Sequence, residues 1–371
     1  MEQQRDNTVT LVKAIGIILM VVGHVVASDL VVRKAIFTFH MPLFFIMSGY
    51  CFKEKYLEDA KQFVVRKIKG IYVPFVVFSL VFLALHNVFC HWHLYEPTWL
   101  YGWKDYLWES SRIVTRMSHN EGLLGTFWFL KELFWGNIIF YATYKLIKLI
   151  GNSKLVNGDW RLGAEWVTAI GLFVLTEIAL IFHLRIPYFT VTFLSTYAAF
   201  FIAVGYLWKK AEWKCDQWWI WVIGIASVLI EAIFADRVAM KYQTPLSLVY
   251  YAIPAILGTM VVYNVCRWLL KIEDRIMKIG VSGLTFIGEH TLSIMALHFL
   301  AFKLVTFGYI KFRNLPIELL QPLEVPDGLA NTGGGILLCA FVGTSVPLIF
   351  VWLWIKIKAK MIPIIRQNMQ K

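Results

Sequence analysis

Charge is what this sequence has least of. Asp, Glu, Lys and Arg make up 16% of its 371 residues, where a soluble domain carries roughly a quarter. That shortfall excludes an ordinary water-soluble enzyme. Thiols are also few. Of five cysteines, only Cys90 falls near the expected outer face, so no disulfide framework is available and free thiols are expected. The phosphate-cradling Gly loop, the nucleophile elbow and the zincin helix are all missing, which removes the common nucleotide-binding, hydrolase and metalloprotease readings. No small-residue cleavage site follows the first apolar run, so that run is not a signal peptide. There is no internal repeat, no low-complexity tract and no sign of a second domain. Residues 1–371 are read as a single transmembrane domain.

What fills the sequence is apolar. Hydrophobic residues account for 58%, and the mean hydropathy is +0.62. They come in runs of about 18 to 22, each long enough to cross a bilayer as a helix. The runs predict an all-α, polytopic membrane protein of about ten transmembrane helices. They lie near 8–28, 35–52, 71–90, 123–145, 163–182, 189–208, 217–234, 246–266, 284–305 and 333–355. With the N-terminus inside, 24 of the 36 Lys and Arg fall on inner segments. The positive-inside rule then puts both termini in the cytoplasm, in a bacterial inner membrane. The net charge of +12 is therefore topology, and no nucleic-acid partner is expected. Two outer loops are long, 91–122 and 306–332. The first is aromatic and mixed in charge, an expected interfacial helix. The second holds Pro316, Pro322 and Pro326 and is expected to be irregular. The basic tail KIKAKMIPIIRQNMQK reads as a cytoplasmic anchor.

Ionisable residues inside spans are expensive, so they mark interior sites. Lys13 and His24 in the first span are eleven residues apart. Three helical turns separate them, so they share a face about 16 Å apart. Lys13 alone reads equally as a cation reaching the inner interface. His40, in FTFHMPLFFIMSGY, enters the second span from the outer side at a depth similar to His24. Arg66, Lys67 and Lys69 gather at the inner mouth of the third span, where three cations suit phosphates, although ordinary positive-inside charge explains them too. Glu132, Glu289, His290 and His298 are further interior candidates. Glu177 and Glu231 read as structural. His86, His91 and His93 cluster at the outer end of the third span without a thiolate or a clear fourth ligand, so no metal site is expected.

These residues resemble the membrane-bound acyltransferase-3 family, particularly its fucose 4-O-acetylase-like branch. The resemblance rests on a basic residue, ten residues and a His (Lys13 to His24), an aromatic second span ending in Ser-Gly (FHMPLFFIMSGY), and a basic pair at the third span (Arg66-KI-Lys69). Relatives more often carry Arg at the second place of that pair. A Trp-Phe-Leu element (Trp128, Phe129, Leu130) and a late element from Ile287 to His298 also match. The chain looks like a stand-alone member without the added extracytoplasmic domain of many relatives.

The resemblance implies transfer of an acyl group, usually acetyl, from acyl-CoA to a carbohydrate hydroxyl. Acetyl-CoA would be the donor substrate, with Lys13, Arg66, Lys67 and Lys69 as its binding residues and no metal. The acceptor would be a lipid-linked sugar, a surface polysaccharide or an oligosaccharide of the cell envelope. His24 is the expected general base, since an imidazole titrates near the operating pH. His40, Glu132 or His298 would orient it or stabilise the oxyanion. An acyl-histidine intermediate is the second mechanism. Export of a glycolipid or small metabolite is the competing function, weakened by the missing repeat.

Overall fold

A computed structural model describes residues 7–151, 163–213, 215–235, 238–245 and 247–368, with side chains as far as residue 358. Most of the basic C-terminal tail therefore lies outside the described side chains. The described chain is all-helical, with one isolated bridge between Ile186 and Val191 and no strand.

Each apolar run holds at least one helix. α1 (Asn7–Val25) and α2 (Val31–Tyr50) form an antiparallel pair. A capped turn leads from α2 into α3 (Ala60–Lys67), whose first turn is held by Asp59 accepting from the Gln62 amide at 2.8 Å. A π-turn over Ile68–Tyr72 joins α3 to α4 (Val73–Ala84). Pro74 accounts for that turn, since its ring presses on the carbonyl four residues back, that of Gly70. α5 (His86–His91) and α6 (Trp103–Arg116) follow. Then come α7 (Trp128–Gly151), α8 (Ala164–Ile181), α9 (Phe193–Lys210), α10 (Trp218–Phe234) and α11 (Ser247–Lys271). α12 (Arg275–Glu289), α13 (Thr291–Arg313), the short α14 (Asp327–Ala330) and α15 (Gly333–Asn368) complete the chain.

All ten expected spans contain a helix. By length and composition, seven described helices can cross a membrane: α1, α2, the α3–α4 run, α8, α11, α13 and α15. α10 is apolar but only 17 residues long, and α7 and α9 are more polar. The ninth expected span is displaced. It was read as one segment over 284–305, but the backbone leaves the helical region at His290 and splits it into α12 and α13. The break keeps Gly288 against the Thr10 carbonyl of α1 while α13 turns into the bundle. The 91–122 loop does hold a helix, α6. It buries Glu109 and Ile113 and exposes Trp103, Leu107 and Trp108. The 306–332 loop departs from the irregular expectation: α13 runs on through Arg313, a 3-10 turn covers Ile317–Leu320 and α14 follows, so only the short stretches around Pro316, Pro322 and Pro326 are irregular.

α2 sits at the centre, packed against α1, α7, α9, α10 and α11. Its tightest crossing is with α9, and it is reciprocal. A methyl group added at Gly49 would lie 1.8 Å from the Ile202 carbonyl oxygen, and one at Gly205 would lie 1.8 Å from that of Ile46. The two backbones touch because neither residue has a side chain, which is how small residues drive helix pairs together in lipid.

Two buried polar contacts pin the loops at the far end of the bundle from Arg66. Lys303 of α13 is buried and donates to the carbonyls of Leu320 and Pro322, fastening the 306–332 segment. His86 stacks on Tyr101 at 3.6 Å and has both ring nitrogens engaged. Nδ1 faces the Glu121 carboxylate at 3.1 Å, and Nε2 faces the Trp99 carbonyl at 2.8 Å. Two acceptors require two donors, so the ring is an imidazolium when both bonds form. Burial opposes that charge, but the bonds to Glu121 and Trp99 outweigh it and raise the His86 pKa.

Gly205→Leu should give no monodisperse protein in detergent by size-exclusion chromatography. Backbone cannot yield as a side chain does, so the cost exceeds the roughly 1 to 3 kcal/mol of ordinary overpacking. The His86 contact has a pH signature. A raised histidine pKa contributes stability that is complete below the unfolded value of about 6.5 and fades as pH climbs through the folded value. Wild type should therefore melt above Glu121→Gln at pH 6, with the gap closing by pH 9. A pH-independent gap would show that the pair carries no such charge.

Candidate active site

The first-span pattern sets Lys13 on the wall of a cavity and His24 just past its far end. A cavity of about 480 Å³ runs between α1, α2, α3, α7 and α13, within the range of small-molecule sites. At one end its wall includes Lys13, Arg66, Lys67, Cys51 and Gly70. Tyr56 packs there under Arg66, whose guanidinium lies 5.6 Å over the ring. Lys67 sits 5.4 Å over Phe63 in the same way. Both cations are thus propped at the mouth by aromatic faces. Lys69, inside the π-turn, is exposed and does not line the cavity.

Deeper in, the wall becomes apolar: Phe44, Phe129, Leu130, Leu133 and Ile17. One polar strip remains, where Ser48 donates to Asn137 at 3.1 Å and Asn137 donates to the Leu133 carbonyl at 2.7 Å. The far end is closed by Met20, Met41 and Met295, one from each of three helices, backed by Thr126. Thr126 donates to the Met295 carbonyl at 3.1 Å.

The imidazoles stand just past that layer. His24 is one turn beyond Met20 on α1, His40 adjoins Met41 on α2, and His298 is three residues beyond Met295 on α13. The His24 and His298 rings are 5.5 Å apart, and Phe299 packs against both at 5.0 and 4.2 Å. Phe37 bridges the other side, 5.7 Å from His24 and 4.9 Å from His40. Gly23 makes room for it, since an added methyl there would meet Phe37 at 2.6 Å.

Two of the three rings have their tautomers set by their own helices. His40 Nδ1 meets the Ile36 carbonyl at 2.9 Å. His298 Nδ1 meets the carbonyls of Ile294 and Met295 at 3.1 and 2.9 Å. A carbonyl only accepts, so Nδ1 carries the proton in each and Nε2 is left as a base. The Nε2 of His298 is buried without a hydrogen-bond partner among the described residues. His24 is only half-buried and makes no protein hydrogen bond among them, so its ring remains free to turn.

Glu132 does not join this group. It is buried on α7, paired with Lys131 at 3.1 Å and accepting from Ser195 of α9 at 2.5 Å. The Ser195 bond ties α7 to α9, while Lys131 lies beside Glu132 on α7 itself. His290 stands apart as well, at the α12–α13 break, with Nδ1 on the Phe286 carbonyl at 2.8 Å. The methionine layer was not read from the sequence, although Met41 adjoins His40 and Met20 lies one turn from His24.

Helices long and apolar enough to cross a membrane, with a titratable cluster beside an interior cavity, place this chain among polytopic membrane proteins with an internal site. A family model described as an acyltransferase domain, acyltransferase-3, matches residues 6–354. The chain belongs to that family and is a membrane acyltransferase. No curated protein and no solved structure matches it.

The contacts of Glu132 make a prediction. Glu132→Ala should lower the melting temperature, on the order of 3 to 5 kcal/mol for breaking a buried charge pair. Turnover per folded molecule should stay within a few-fold of wild type. Loss of turnover with unchanged melting would instead place Glu132 in the chemistry.

Proposed function

We propose that this protein is an acyl-CoA-dependent O-acyltransferase that moves an acetyl group onto a carbohydrate hydroxyl. The supporting observation is the alignment of a cation-rimmed cavity with three imidazoles one helical turn past its closed end. Lys13, Arg66 and Lys67 suit the CoA phosphates, with Lys69 adding to the field at the mouth. The narrow, mostly apolar passage suits the pantetheine arm, and the thioester comes to rest at the methionine layer. Thioether side chains are unbranched and flexible, so they can turn aside as the acyl carbonyl reaches the imidazoles. The acceptor, a sugar of the cell envelope, arrives from the opposite side. Both termini then lie in the cytoplasm of a bacterial cell, and the donor binds from there.

His24 takes the proton from the acceptor hydroxyl as the hydroxyl oxygen attacks the thioester carbon. The tetrahedral intermediate collapses by breaking the carbon–sulfur bond. The thiolate of CoA leaves and recovers the proton from the His24 imidazolium. A turn of the His24 ring toward His298 lets its N–H donate to the partnerless Nε2, which fixes the His24 tautomer and offers its other nitrogen to the acceptor. His40 holds the opposite flank through Phe37.

Purified protein with labelled acetyl-CoA and a panel of sugars tests this reading. His24→Ala should lower kcat by roughly 10² to 10⁴ while the KM for acetyl-CoA barely moves. Arg66→Ala should raise that KM by about tenfold or more, reflecting a lost charge-assisted contact. Folded His24→Ala with full transfer would sink the mechanism.

A further inference from the structure

The end of α2 farthest from Arg66 carries a cation that the acyl-transfer scheme does not use. Arg33 lies in the first turn of α2. Its i,i+4 spacing to Phe37 puts the two on one helix face, and the guanidinium rests 5.2 Å over the Phe37 ring. That ring touches His24 at 5.7 Å. The guanidinium therefore lies no more than about 11 Å from the His24 ring centre.

Arg33 is half-buried and under-used. Of its five N–H donors, one goes to the Val26 carbonyl at 3.2 Å. No carboxylate lies within ion-pair distance of it among the described residues. Glu324, from the 306–332 segment, is close enough to act on it only through space. A second cation, Lys241, acts on His24 from the turn Met240–Tyr242. A half-buried guanidinium without a counterion is costly. Its planar fork matches a carboxylate or phosphate with two parallel hydrogen bonds. A separation of at most about 11 Å is within the reach of one sugar unit with its anionic substituent, a hydrogen bond at each end. Arg33 and Lys241 also stand on the side opposite the CoA mouth, where the acceptor is proposed to bind.

We propose that the acceptor is an acidic sugar, whose carboxylate or phosphate docks on the fork of Arg33 while a hydroxyl of the same unit reaches His24. The inference rests on the acyl-transfer reading and adds the chemical class of the acceptor. Phe37 serves as the spacer, carrying Arg33 on one face and bordering His24 and His40 with the other. Lys241 supplies a second, looser positive charge.

The test uses full-length protein in nanodiscs of neutral phosphatidylcholine. Labelled acetyl-CoA is offered with three matched oligosaccharides, ending in a uronic acid, a phosphorylated hexose or a neutral hexose. Wild type should favour one acidic acceptor at least tenfold in kcat/KM, and the preferred acceptor identifies the anion. Arg33→Gln should raise the KM for that acceptor ten- to hundredfold and leave the neutral one unchanged, with Arg33→Lys in between. Free uronate or inorganic phosphate should compete with the acidic acceptor in wild type, a measurement that stands if the Gln variant does not fold. Transfer that ignores acceptor charge, or an Arg33→Gln loss equal on all three acceptors, overturns the inference and leaves acyl transfer intact. A variant effect that follows added anionic lipid, with acceptor preference unchanged, assigns Arg33 to a lipid phosphate and also overturns it. Failure of wild type to acetylate any sugar removes the acyl-transfer reading and this inference with it.

Discussion

The contact on which the site depends is the backbone crossing of α2 with α9. Gly49 and Gly205 let each helix rest on a carbonyl of the other, at Ile202 and Ile46. In lipid, no hydrophobic force holds two apolar helices together, so close van der Waals packing must do so. The crossing fixes α2 in depth and rotation. From one helix it then presents Ser48, Met47 and Phe44 along the cavity, Met41 at its closed end, His40 beyond, and Phe37 and Arg33 farther out. A slip of α2 by one residue would rotate this whole series by about 100° and empty the site.

The imidazole cluster solves a second constraint, that polar atoms inside a bilayer must find partners. His40 and His298 do so without help from another helix, each giving Nδ1–H to a carbonyl one turn back. The arrangement spends one nitrogen on structure and keeps the other basic. Glu132 follows the opposite course. Both of its oxygens are engaged, by Lys131 and Ser195, so it holds helices together. Among the described residues, the buried polar atom without a partner in the cluster is the Nε2 of His298.

Much of this was legible in the sequence, because lipid makes hydropathy a strong signal. Every apolar run holds a helix, seven of the described helices are long and apolar enough to span a membrane, and the Lys13–His24 spacing placed one residue on the cavity wall and the other just past its end. What stayed illegible depends on partners distant in the chain. The contacts of Glu132 were not legible because Ser195, which donates to it, comes from another helix. Nothing local to Lys303 shows that it reaches the carbonyls of Leu320 and Pro322. The ninth span was misplaced because its break answers to Thr10, on α1. The methionine layer needed three helices at one depth. Arg33 had a signal, a basic residue on the side where the positive-inside rule expects few, but its position over Phe37 came only from the fold.

The layer of Met20, Met41 and Met295 carries a consequence for the cell that houses the enzyme. A protein that, as proposed, takes its donor from one side of a bilayer and its acceptor from the other would contain, by construction, most of a pore. An open passage rimmed with cations would conduct anions and dissipate the membrane potential. Three thioethers lining the wall from three helices offer little to hold a continuous thread of water, and an apolar stretch of that kind blocks ions by dewetting. In the proposed scheme, the residues that part for the thioester are the same ones that would keep the membrane electrically tight between turnovers.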